Sequence, residues 1–119
     1  PNRMEASALA GVPVEDLDGA LRAAERLRGH GARAVLVKGG HFDGDEAVDL
    51  LVSEDGILRL TAPRVPGRDP RGTGCALATA IAVGLARGRD VATAVRQAKG
   101  WLHAQIAAAV PVGTEWHLP

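Results

Sequence analysis

The sequence predicts an α/β domain, helices packed on a small sheet. Three observations carry this reading. Leu17, Leu21, Ala24 and Leu27 recur at steps of three and four residues, the stripe of an amphipathic helix. The run AVLV over 34–37 is short, rich in valine and closed by Gly39 and Gly40 just beyond Lys38, as in a buried parallel strand. Two further apolar runs, 48–52 and 57–60, flank Glu54, Asp55 and Gly56, a strong hairpin signal.

In chain order, residues 5–10 predict a short helix ended by Gly11. Pro13 and the acidic pair Glu15 and Asp16 open the amphipathic helix, and Gly29 and Gly31 end it. The strand and the hairpin follow. PRVPGRDPR over 63–71 reads as a loop, because Pro, Gly and charge dominate it. An alanine-rich helix is predicted over 74–86, then a Gly stop and Asp90 as N-cap of a last helix over 91–109. Pro111 breaks that helix, and VGTEWHLP reads as irregular. The sequence shows no internal repeat and no second domain.

The 119 residues have the size of one small domain. Lys+Arg and Asp+Glu both number 14, so no basic field attracts nucleic acid or an anionic membrane. Aromatic content of 3% argues further against platforms for base stacking. One cysteine forms no internal disulfide, which predicts a reduced, cytoplasmic setting. No basic segment with a long apolar run opens the chain, and the apolar run over 76–86 is too short to span a bilayer. The opening PNRMEASALAG, which begins at Pro1, reads as the interior of a longer chain.

The chemistry concentrates in RGTGCALATAIAVGLARG. Gly72 and Gly74 let backbone approach a ligand closely, and the following helix offers free N–H groups and the positive end of its dipole. Loop and helix start therefore form an anion site, and a helix N-terminus favours the thiolate of a cysteine placed there, here Cys75. The plainer alternative is a turn followed by a small buried hydrophobe. No Walker Gly-Lys-Ser/Thr follows, and no strand with G-x-G-x-x-G precedes the helix. His41, His103 and His117 lack metal-ligand spacing, and Trp101 and Trp116 read as packing residues.

VLVKGGHFDGDEAVDLLVSEDG, RGTGCALATAIAVGLARG and AVRQAKGWL together resemble the C-terminal half of the hydroxymethylpyrimidine/phosphomethylpyrimidine kinases, of the ribokinase-like superfamily. PNRMEASALAG resembles that family's Asn-x-x-Glu segment, here Asn2 and Glu5. The resemblance covers nearly the whole chain in the family's order. It implies that residues 1–119 are the C-terminal portion of a ribokinase-like kinase domain, carrying the ATP site and the anion hole without the N-terminal half. It implies parallel strands plus a β-hairpin flanked by helices. The implied activity is ATP-dependent phosphorylation of 4-amino-5-hydroxymethyl-2-methylpyrimidine and of its monophosphate in thiamin diphosphate synthesis.

The resemblance also implies roles for residues. Gly72, Thr73 and Gly74, with the backbone of Cys75, form the anion hole, and Cys75 stands where most ribokinase-like enzymes place an aspartate base. Lys38, with Gly39, and Lys99 reach the ATP phosphates; Asn2 and Glu5 organise Mg²⁺, partly through water. Each lysine has a plainer reading as solvated surface charge. His41 matches the family's Gly-Gly-His with no chemistry implied, and Asp69 sits where the family tends to have Asn or Asp. The family's usual histidine before Gly-Thr-Gly is Arg71 here, a cation that could still meet phosphate. The implied partners are a small pyrimidine and ATP, with no nucleic acid and no membrane, and a homodimer for the full-length enzyme. Two rivals stay open: pyridoxal kinase of the same fold, and a truncated, non-catalytic nucleotide-binding module.

Overall fold

The computed structural model describes residues 1–39 and 46–119. It divides into two compact units, Pro1–Arg64 and Val65–Pro119.

In the first unit, helix α1 (Arg3–Ala10) starts at Asn2, whose side chain accepts from the Glu5 N–H at 2.8 Å while Glu5 Oε2 accepts from the Asn2 N–H at 2.8 Å. This reciprocal pair is a capping box and satisfies two helix-end donors. Gly11 ends the helix, its N–H bonded to Ser7 O at 2.9 Å. Arg3 then fixes the link to the next helix, donating to Val14 O at 3.2 Å and Glu15 O at 2.8 Å. Helix α2 (Leu17–Gly29) is capped by Asp16, which accepts from the Gly19 N–H at 2.7 Å. A Cβ at position 19 would stand 2.8 Å from Pro13 O, so only glycine fits there without backbone movement.

Strands β1 (Ala34–Lys38), β2 (Glu46–Ser53) and β3 (Gly56–Pro63) form one sheet with β2 in the middle. Both ladders are antiparallel, Val35 opposite Val52 and Val37 opposite Leu50 in the first. The parallel character expected of β1 appears at one point, an isolated bridge between Lys38 and Asn2. An apolar run flanked by glycine reports burial, and burial alone does not set the direction of the neighbouring strand. The hairpin β2–β3 forms as expected, with Glu54 and Asp55 at its tip and Ser53 opposite Gly56.

The core of this unit sets Ala6, Ala10, Ala20, Ala23 and Ala24 of the helices against Val35, Val37, Leu50 and Val52 of the sheet. Alanine on the inner face lets the helices lie close to the strands. Leu17, Leu21 and Leu27, read as the buried stripe, sit half-buried at the margin of this core instead.

In the second unit, helices α3 (Thr73–Ala86) and α4 (Val91–Ala107) approach closely at Gly84, where a Cβ would lie 3.0 Å from Ala94 Cβ. Asp90 caps α4, accepting from the Thr93 N–H at 2.9 Å and the Thr93 hydroxyl at 2.8 Å. The tail is not irregular. Strands β4 (Val110–Val112) and β5 (Glu115–His117) pair antiparallel around Gly113 and Thr114, and Gly113 takes φ 62°. Pro111 sits within β4, opposite Trp116, in a ladder only three residues long. Trp101, expected to pack, is 46% exposed. No helix among the described residues is long and apolar enough to cross a membrane.

Candidate functional site

The residues singled out from the sequence fall into two groups, one in each unit. In Pro1–Arg64, the end of β1 meets the start of α1. The Lys38 N–H donates to Pro1 O at 2.8 Å and Lys38 bridges Asn2, so Lys38, Asn2 and Glu5 are drawn to one place. Glu5 is exposed, with one carboxylate oxygen engaged by the Asn2 N–H. The Asn-x-x-Glu spacing is thus a helix start as well as a candidate metal element.

Gly39 is buried, and its N–H donates to Asp49 Oδ1 at 3.1 Å. Asp49, only 8% exposed and opposite Lys38 in the ladder, fixes the point where the chain leaves β1. Sequence reasoning missed Asp49. Its signal was a lone carboxylate inside the apolar run VDLLV. Gly40 and His41 lie outside the described residues.

In Val65–Pro119, Gly72 is the N-cap of α3 in the left-handed region, φ 81° and ψ 4°, where a side chain would be strained. The helix begins at Thr73, one residue before the expected start. No side chain caps it and its first turn holds no acidic residue, so its N-terminal dipole and first N–H groups are left for an anion. Cys75 is a free, exposed thiol in that first turn, which sets aside its reading as a buried hydrophobe. Lys99 is half-buried on α4, next to the buried Ala98. Asp69 is exposed in the loop before the mouth. The Arg71 guanidinium, read as a phosphate partner, pairs with Glu115 at 2.9 Å.

No cluster of three or more His, Cys, Asp or Glu side chains able to hold a metal occurs among the described residues. Glu5 and Asn2 are a sparse donor set, suited to a hard cation that keeps most of its waters.

A glycine mouth on an uncapped helix with an exposed thiol in its first turn, in the second unit, and a lysine at the end of a β-strand, in the first, are the features on which the resemblance rests. The model of the phosphomethylpyrimidine kinase family matches residues 1–119. The chain belongs to this family. It is 46% identical over 110 residues to the hydroxymethylpyrimidine/phosphomethylpyrimidine kinase of Rhizobium meliloti, covering 92% of this chain and 41% of the relative. The Streptomyces coelicolor enzyme of the same name is 46% identical over 113 residues, 95% of this chain and 42% of the relative. Among solved structures, pyridoxal kinase from Staphylococcus aureus in complex with AMP-PCP and pyridoxal matches with a TM-score of 0.94 at 27% identity. That match covers 100% of this chain and 45% of that one. The fold is accordingly that of the ribokinase-like kinases. The chain spans less than half the length of the relatives it matches.

Proposed function

We propose that the protein which carries this chain is an ATP-dependent kinase for hydroxymethylpyrimidine and its monophosphate in thiamin diphosphate synthesis. The observation that supports this most is Cys75, exposed in the first turn of α3 behind a left-handed Gly72, in a chain whose family match runs from end to end. In this reading residues 1–119 are the C-terminal portion of the kinase domain, and the remainder of the domain completes the pyrimidine pocket.

The reaction moves one phosphoryl group. The substrate hydroxyl oxygen attacks the γ-phosphorus, the bond from that phosphorus to the β,γ-bridging oxygen breaks, and ADP leaves. Backbone N–H groups of residues 72–75 hold the transferring phosphoryl, whose negative charge suits the α3 N-terminus. The Cys75 sulfur, as thiolate, accepts the hydroxyl proton. Lys38, fixed by its backbone bond to Pro1 O and by the Asp49 anchor on Gly39, meets the ATP phosphates, as does Lys99. Mg²⁺, when bound, would neutralise phosphate charge, and Glu5 with Asn2 would orient its water shell. The complete enzyme is a cytoplasmic homodimer in this account, and the exposed thiol of Cys75 suits a reducing compartment.

The likeness to pyridoxal kinase favours a second reading, with pyridoxal as the phosphoryl acceptor. The experiment is a steady-state assay of the complete gene product with ATP and, separately, hydroxymethylpyrimidine, its monophosphate and pyridoxal. The proposal expects the highest kcat/KM with the pyrimidines. A higher value for pyridoxal assigns the second reading, and no turnover with any of them points to a non-catalytic nucleotide-binding module.

A further inference from the structure

Four helices are described, and three of them start on a side-chain cap: Asn2 for α1, Asp16 for α2 and Asp90 for α4. Helix α3 has none, since its N-cap is Gly72. The mouth that offers its amides to an anion is therefore not fixed from within its own helix. Its fixation comes from the other end of the sequence. The Arg71 N–H donates to Trp116 O at 3.3 Å, and the Arg71 guanidinium pairs with Glu115 Oε1 at 2.9 Å. Three residues earlier, the Arg68 guanidinium lies over the Trp116 ring, 5.3 Å from its centroid, and donates to Ala107 O at the end of α4. Arg68 thereby places positive charge at the C-terminal end of α4, whose last turn holds no basic residue. The second carboxylate oxygen of Glu115 faces His117 Nε2 at 3.9 Å.

We infer that the β4–β5 hairpin is a brace for the α3 mouth, with Glu115 and Trp116 as positioning residues that set the Arg71 and Gly72 backbone for phosphoryl transfer. The inference rests on the proposed kinase reading for its chemistry and on the contacts above for its geometry. The Arg71–Glu115 pair is weak by itself, being exposed. Together the contacts engage the loop through its backbone at Arg71 and through two side chains. They leave the amides of residues 73–75 untouched, so the brace holds the mouth without filling it. Phosphoryl transfer is sensitive to misplacement of its donors by a fraction of an ångström, which gives a distant hairpin leverage over rate.

The test has two arms in the complete gene product. Native-state amide exchange is measured at Arg71 and Ala76, with Ala94 on α4 as control; the Ala76 N–H bonds Gly72 O at 2.9 Å and the Ala94 N–H bonds Asp90 O at 2.9 Å. The Glu115→Gln/Trp116→Ala pair is expected to speed exchange at Arg71 and Ala76 about tenfold and to leave Ala94 unchanged. In the kinetic arm kcat falls about ten- to hundredfold with KM for ATP within about twofold, and Trp116→Phe, which keeps the ring, retains most of the rate. Unchanged exchange at Ala76, or an unchanged kcat, overturns the brace. Equal acceleration at Ala94 signals general unfolding, and Glu115→Gln alone, which removes the charge facing Arg71 and His117 and keeps the side chain's size, then carries the same two readings. If the unsubstituted enzyme proves inactive, the kinase reading fails, and the exchange arm still decides whether the hairpin sets the mouth.

Discussion

In Pro1–Arg64, five alanines of α1 and α2 lie on four aliphatic side chains of the sheet, and Val37 at the centre has no exposure at all. In Val65–Pro119, α3 is apolar on every side yet leaves Val83 and Leu85 each 45% exposed, and the loop before its mouth is tied through Arg68 and Arg71 to the tail hairpin. The first unit fixes Lys38 by burying the strand that carries it. The second presents Cys75 at a helix start that nothing of its own helix caps. A buried strand end fixes the backbone that carries a cation, and an open helix mouth gives amides that can receive a phosphoryl group. Substitutions in the two regions should therefore differ in kind, the first acting on stability and nucleotide affinity and the second on rate.

The largest effect on that contrast belongs to Leu50→Ala. Leu50 is 5% exposed in the core of the first unit, so its truncation is expected to cost about 2–5 kcal/mol in urea unfolding. A loss well under that range would mean that the first unit does not depend on this core. Lys38→Ala comes next. It should weaken binding of an ATP analogue by roughly 1.5–3 kcal/mol, the scale of a charge-assisted hydrogen bond, with calorimetry as the readout. Unchanged affinity would return Lys38 to its plainer reading as surface charge.

A smaller effect is expected at the caps. Asp16→Ala removes the acceptor of the Gly19 N–H and should cost about 1 kcal/mol, while Asp16→Asn should keep most of it. The smallest effect is the pH dependence of α4. The Thr93 N–H bond, then the Thr93 hydroxyl, hold the Asp90 carboxyl below its ordinary value of 3.8. A lowered folded-state value means that the cap stabilises above pH 3.8 and fades as pH falls below it towards the folded value. Acid titration of helicity should therefore show Asp90→Asn less sensitive than Asp90 in that window. Equal profiles would mean that this cap carries no proton linkage.

Much of this contrast was legible in the sequence. Helix α2 and the β2–β3 hairpin carry local signals, the three-and-four spacing and the Asp-Gly turn. The Gly-Thr-Gly-Cys start was legible because glycine before an alanine-rich run has a local backbone meaning. The direction of β1 was not, since a buried strand shows the same valines beside either kind of neighbour. The tail hairpin was hidden by Pro111 and by the brevity of its strands, although Gly113 and Thr114 between VPV and EWH were its faint signal. Asp49 and Arg68 escaped notice for a different reason. Their partners lie 10 and 39 residues away, and only folding brings them together.

Cys75→Ala in the complete gene product puts the second unit's role to the most direct test. The variant is measured twice, for turnover with hydroxymethylpyrimidine and for affinity towards an ATP analogue. Backbone N–H groups survive loss of the side chain while a proton acceptor does not. Turnover is therefore expected to fall about a hundredfold to ten-thousandfold, with affinity held within about twofold. Turnover close to that of the unsubstituted enzyme would contradict the assignment of Cys75 as the base and leave residues 72–74 as a phosphate cradle alone.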